Sequence, residues 1–201
     1  MDEIILIGSG GHARSCIDVI ESESRFKIAG LIDNQSKKNN LHGYPVIGND
    51  NDLSRLSKYY KFAFIAIGQI KSSEIRIKLF NTLKGFGYIL PTLISPLAYV
   101  SNHSKIDEGT IIMHNAIVNS FANIGKNNII NTKALIEHDV QVGNHCHIST
   151  GAIVNGNCII KDKVFVGSGS ICKHNITIND NVIINAGKYV ESNIEQNSFL
   201  K

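Results

Sequence analysis

Concentrated charge is the first thing missing from this chain. Its 201 residues carry a formal net charge of only +3. Ser36-Lys37-Lys38 is the one basic cluster, which leaves no strong field for nucleic acid or an anionic membrane surface. No apolar run approaches the roughly eighteen residues of a membrane span. The run Ile4-Ile5-Leu6-Ile7 is short and follows Asp2 and Glu3, the wrong flank for a secretory signal. Cys16, Cys146, Cys158 and Cys172 form no C-x-x-C pair, and a chain of this length needs no disulfides to hold a core. These absences predict a cytoplasmic protein with reduced thiols, no bound metal, and no nucleic-acid or membrane partner. Disorder is excluded as well, because 43% of the residues are hydrophobic.

What is present divides into two halves. Residues 1–90 alternate short apolar runs with helical patterns, the signature of βαβ units around a small parallel sheet. Strands are expected over 4–7, 27–32 and 62–67, and helices over 12–21, 52–59 and 73–83. Residues 41–48 read as a turn, holding His42, that feeds one short extended segment.

From residue 91 the period changes. Steps of six from Ile94 reach Val190 through seventeen positions, of which sixteen are Ile or Val and the other is Cys172. Four residues after many of them comes a small side chain, as at Ala98, Ala116, Ala134, Ala152 and Ser170. One β-branched and one small residue pointing inward on each side suit a narrow three-sided solenoid with eighteen residues per coil. Gly, Asn and Asp recur where its corners fall, as at Gly125, Asn127, Gly143 and Asp162. The fold expected is thus an α/β Rossmann-like half domain, residues 1–90, followed by a left-handed parallel β-helix, residues 91–201.

Two segments carry chemistry. In the first half, Gly8-Ser9-Gly10-Gly11-His12-Ala13 follows a strand and opens a helix, where backbone amides and a helix N-terminus can approach a phosphate. Gly8, Gly10 and Ala13 also fit a G-x-G-x-x-A dinucleotide fingerprint, with Asp33 about twenty residues on. A nicotinamide enzyme is an alternative on this motif alone, but about ninety residues supply only half of a dinucleotide fold.

In the repeat, six of the eight histidines are candidate bases: His103, His114, His138, His145, His147 and His174. His138 stands out, because it lies at a coil corner between Glu137 and Asp139, and a carboxylate there can orient an imidazole. Gly156, eighteen residues on, falls one coil above it, where its N–H could meet an oxyanion. No two repeat histidines are eighteen apart, which disfavours a zinc site within one chain and leaves open one shared across a trimer.

Gly8-Ser9-Gly10-Gly11-His12, Ile32-Asp33-Asn34, Ala66-Ile67-Gly68 and the repeat with Ile136-Glu137-His138-Asp139 together resemble the sugar O-acyltransferase family, which includes sialic acid O-acetyltransferases of the NeuD type and the PglD type of N-acetyltransferase. The likeness runs over nearly the whole chain. It implies an acetyl-CoA-dependent N-acetyltransferase acting on a nucleotide-linked 4-amino sugar for a surface glycan, assembled as a homotrimer with sites between subunits. It implies His138 as general base with Asp139, or in its place Glu137, as partner. Acetyl-CoA would be held by His147, Gly156, Gly167, Ser168, Ala186 and Gly187. The nucleotide-sugar would be held by Gly10, Gly11, His12, Asp33, Asn34 and Gly68. The family usually carries two acids where this chain has Asp33-Asn34, so the base stays open. It also usually ends on a Gly-x-Pro-Ala segment, which 195–201 lacks, implying a more open coenzyme site or weak activity. O-acetylation of a sialic-acid-like sugar, and a non-catalytic nucleotide-sugar-binding regulator, are the alternatives.

Overall fold

The computed structural model describes residues 1–34, 40–41 and 43–201. The basic cluster at Ser36-Lys37-Lys38 and the turn residue His42 lie outside the described residues. The N-terminal part is a five-stranded sheet with β1 (Asp2–Ile7) at its heart, flanked by β2 (Phe26–Ile32) and β5 (Phe62–Ile65). All three are parallel. Both faces of β1 are covered, which is why Ile4, Ile5, Leu6 and Ile7 form an unbroken apolar run. Helix α1 (Gly11–Glu23) follows β1, and α3 (Glu74–Gly85) follows β5.

The 41–48 segment is richer than the expected single extension. β3 (Asn40–Leu41) pairs antiparallel with β4 (Tyr44–Gly48), and β4 extends the parallel sheet beside β2. The helix expected over 52–59 is one turn, α2 (Leu53–Leu56), preceded by a 3₁₀ turn over Asp50–Asp52. Asn49 and Asp52 form a reciprocal capping box there.

The second part is the left-handed parallel β-helix. Eighteen two-residue strands, β6 (Leu93–Ile94) to β23 (Phe199–Leu200), stack into sheets of six, five and seven. Partners up to β22 are eighteen residues apart, as in Val118 with Ile136 and Ile136 with Val154, and β21 pairs β23 at a spacing of sixteen. The sixfold register maps onto the second residue of each strand from Ile94 to Val190, and the small residues close the interior: Ala116, Ala122, Ala134, Ala152 and Ser170 are fully buried. From Gly109 to Gly187 every sixth residue has φ between 55° and 72°, in the left-handed region. Five of these fourteen are Asn and four are Gly, residues that tolerate that region best. The four cysteines are free and buried, and burial raises the pKa of each thiol.

The outward residues give the three faces different fates. Leu93, Ile111 and Ile129 are buried against the N-terminal part, so that face is covered. The next face bears Tyr99, Ile117, Leu135, Ile153, Ile171 and Tyr189, all apolar and all at least partly exposed. The third bears Lys105, Asn123, Gln141 and Thr177 and faces solvent with Ile159.

Polar groups pin the two parts together. Arg76, 1% exposed, donates to Ile65 O (2.9 Å), Ile67 O (2.6 Å) and Asn127 Oδ1 (2.6 Å). Burial lowers its pKa to about 10, so it stays charged at neutral pH. On the other flank, Ser95, His114 and Asp18 form a chain through His114 Nδ1 (2.6 Å) and Nε2 (2.7 Å). Ser95 is 1% exposed, so this serine, histidine and carboxylate act as a tether.

Candidate active site

Two separate sites emerge. The first is a cavity of about 440 Å³ at the carboxyl ends of β1, β2 and β5, where α/β sheets bind ligands. Gly10, Gly11, His12, Asp33, Asn34 and Gly68 all line it. Gly8 makes the turn: its φ is +111°, and a Cβ would lie 2.7 Å from Ile67 Cγ1. At Gly10 and Gly11 an added Cβ meets nothing within 4 Å, so their bare backbone opens on the cavity. Gly10 is the N-cap of α1 and supplies no side-chain cap, and the first turn holds no acid. The helix therefore presents amides and the positive end of its dipole.

Asp33 Oδ2 accepts from both the N–H (2.9 Å) and the hydroxyl (2.6 Å) of Ser9, fixing the loop. Asn34 exchanges bonds with Asp50, through Nδ2 to Asp50 Oδ2 (2.8 Å) and from Asp50 N to Asn34 Oδ1 (3.0 Å). Asp50 also lines the cavity, and the sequence reading missed it. His12 sits behind the loop with its Nε2 buried and unpartnered among the described residues. Burial first, then the charges of Arg76 and His147, lower its pKa to about 3, so it is neutral.

The second site is a cavity of about 570 Å³ on the corner between the apolar and solvent-facing sides, with His138 in its wall. Asp139 occupies the left-handed corner position (φ 61°), and its Oδ2 accepts from His138 Nδ1 at 2.8 Å. Glu137 does not compete for the ring: its Oε2 takes the His138 backbone N–H (3.2 Å) and Asn119 Nδ2 (3.0 Å). The Asp139 hydrogen bond, with the charges of Asp139 and Glu137, holds the imidazole pKa above its ordinary value.

Gly156 stands over the ring, and a Cβ there would lie 2.8 Å from both His138 Cε1 and Nε2. Its carbonyl accepts from Asn175 N (3.1 Å), while its N–H has no acceptor among the described residues. The arrangement offers an imidazole with a fixed tautomer, its Nε2 outward, beside an open backbone donor. That is the equipment of proton abstraction coupled to oxyanion stabilisation.

The remaining candidates do not join His138 in one chain. His147 is on the covered face. Its Nδ1 donates to Gln69 O (2.5 Å), its Nε2 accepts from Asn131 Nδ2 (3.0 Å), and burial lowers its pKa to about 4. Gly167, Ser168, Ala186 and Gly187 lie on the corner between the covered and apolar faces, the far edge of the apolar side from His138. There Gly187 N bonds Ser168 O (2.9 Å). Among the described residues no group of three or more His, Cys, Asp or Glu is placed to hold a metal. No described helix is long and apolar enough to cross a membrane.

A histidine and its carboxylate on the corner of a hexapeptide prism, joined to a glycine-loop domain, mark an acyltransferase of the hexapeptide-repeat type. Comparison narrows the class. Residues 3–83 match the PglD N-terminal domain. The whole chain is similar to a variant of perosamine N-acetyltransferase from Caulobacter crescentus solved with CoA and GDP-perosamine, at 27% identity, with 99% of this chain and 93% of that one covered and a TM-score of 0.92. It is equally similar to the acetyltransferase domain of PglB from Neisseria gonorrhoeae in complex with acetyl coenzyme A, at 27% identity, 98% and 94% coverage and a TM-score of 0.91. WeeI from Acinetobacter baumannii shares the fold at 22% identity, with 94% of each chain covered and a TM-score of 0.72. No curated protein matches the chain. Its N-terminal domain and its full-length likenesses thus make the chain similar to sugar acetyltransferases of the PglD kind.

Proposed function

We propose that the protein transfers an acetyl group from acetyl-CoA to the amino group of a nucleotide-linked 4-amino sugar, with His138 as general base. One observation carries this reading: Asp139 holds Nδ1 of His138, leaving Nε2 beside the uncommitted N–H of Gly156. A protonated amine has no lone pair, so attack on a thioester needs a base within reach of the amine. The amine nitrogen adds to the thioester carbon as His138 Nε2 takes its proton. The Gly156 N–H meets the oxyanion, and collapse breaks the C–S bond while the proton passes on to the departing thiolate. The cavity beneath Gly10 and Gly11 receives the nucleotide diphosphate. Similarity to enzymes crystallised with CoA and GDP-perosamine supports both donor and acceptor class.

The active form we propose is a homotrimer packed through the apolar face. Six apolar residues exposed on one side of a rigid prism are the mark of an interface. If three prisms turn this side to a common axis, the His138 corner of one meets the Gly167 and Gly187 corner of the next. Such an arrangement reunites donor-binding residues that one chain keeps on opposite edges. Incubation with acetyl-CoA and a panel of nucleotide-linked amino and hydroxy sugars tests the whole reading. Transfer to a 4-amino sugar that is lost in His138→Ala is expected. Transfer only to hydroxyl acceptors, or transfer unaffected by that substitution, overturns it.

A further inference from the structure

The corner that carries His138 repeats every eighteen residues, and its column reads Ser120, His138, Gly156, His174 and Ser192. Coils stack about 4.8 Å apart, so His138 and His174 stand two coils from each other with no side chain between them. The gap at Gly156 is a slot, and both imidazoles line the same cavity of about 570 Å³. The other polar side chains of that cavity are engaged within the protein. Asn155 Nδ2 donates to Cys172 O (2.8 Å), Asn157 Nδ2 donates to Asn175 Oδ1 (2.8 Å), and Glu137 accepts from Asn119 (3.0 Å). His138 Nε2, the Gly156 N–H and the ring of the exposed His174 have no partner among the described residues. Base and oxyanion donor account for the first two, and His174, one of the six candidate bases in sequence, is left without a part in proton transfer.

We propose that His174 binds the acetyl donor, by a hydrogen bond to the pantetheine amide nearest the thioester. This rests on the acetyl-transfer reading of the same site. With the thioester oxygen on the Gly156 N–H, the two methylenes between sulfur and that amide span roughly one coil, the rise from Gly156 to His174. An imidazole at that height meets an amide, which offers both a donor and an acceptor. His174 thus selects for a donor with an amide at this distance and takes no part in proton transfer.

The test is steady-state kinetics of the full chain, with His174→Ala and His174→Gln, using acetyl-CoA and a short thioacetate ester that lacks the amide. His174→Ala is expected to raise KM for acetyl-CoA about tenfold with kcat little changed. His174→Gln, which keeps a hydrogen-bonding group, should recover most of the loss, and both variants should match the parent with the short donor. Unchanged KM for acetyl-CoA in His174→Ala overturns the assignment while leaving the acetyl-transfer reading standing. So does an equal loss with both donors, which marks a role at the reacting carbon. Calorimetry separates the deeper failure: a parent chain that binds no CoA removes the transfer reading and His174 with it.

Discussion

Gly156 leaves no room for a methyl group above His138, because a Cβ at that residue would stand 2.8 Å from both Cε1 and Nε2 of the imidazole. Nothing but an exposed ring blocks it, so Gly156→Ala folds normally and moves the ring. A displacement near 1 Å in a reacting group costs on the order of 10²-fold in rate. Gly156→Ala should therefore lower kcat by about that factor with an unchanged thermal midpoint. A kcat within twofold of the parent would show that the ring's place under Gly156 is immaterial to turnover.

On the proposed mechanism, the pairing of His138 with Asp139 sets the pH dependence. A base must be neutral to accept a proton, and Asp139 raises the pKa of His138, so activity is lost on the acid side at a higher pH than an isolated histidine would give. Asp139→Asn removes the charge. The acid limb of kcat/KM should move to lower pH while the plateau falls by about tenfold or more, because the ring loses its fixed tautomer. A limb that stays in place assigns the titration to another group.

The solenoid was legible because a period of six leaves a mark at every coil, and the count of eighteen carried Gly156 onto His138 before any coordinates. The same count, taken further, separates what resemblance had grouped. His147 is nine residues from His138, half a coil, and so faces the other side of the prism. Arg76 was not legible at all. Nothing in the helical pattern of 73–83 marks it, and the docking of α3 on Asn127 buries it. Asp50 escaped notice for a similar reason: its tie to Asn34 crosses between strand ends sixteen residues apart. The hairpin of β3 and β4 carries too few residues for a periodic signal.

The apolar face supplies a prediction about assembly. Ile153 is central on that face and half-buried, and its strand neighbours Leu135 and Ile171 are apolar too. A lysine there leaves the single-chain fold intact but cannot be buried unpaired in an interface except at a cost of several kcal/mol. Ile153→Lys should sediment as a monomer, keep its circular dichroism, and lose transfer activity. A variant that is monomeric and fully active rules out sites shared between subunits.

Arg76 predicts the strength of the junction between the two parts. Replacing it with Met keeps apolar volume but strands the carbonyls of Ile65 and Ile67 and the side chain of Asn127 without their donor. Buried acceptors left unpaired cost about 1–3 kcal/mol each. Urea unfolding of Arg76→Met should show a loss of about 3 kcal/mol or a separate early transition for the N-terminal part. Unchanged unfolding would mean water replaces the guanidinium at no cost.

The junction also predicts how the fold responds to acid. His12 and His147 are held neutral in the folded chain, mainly by burial, with pKa values of about 3 and about 4 against 6.5 for an ordinary histidine. The unfolded chain takes up protons at both as pH falls below 6.5, and the folded chain does not until much lower. Their contribution to stability is whole above pH 6.5 and is lost progressively down to about pH 4. Within that window each buried histidine adds a slope approaching about 1.4 kcal/mol per pH unit. His147→Gln keeps a side chain that can both donate to Gln69 O and accept from Asn131, and it cannot titrate. Urea midpoints measured from pH 7.5 to 4.5 should fall steeply in the parent and less steeply in His147→Gln. Parallel profiles would place the acid sensitivity elsewhere, since only the loss of one titrating group distinguishes the two chains.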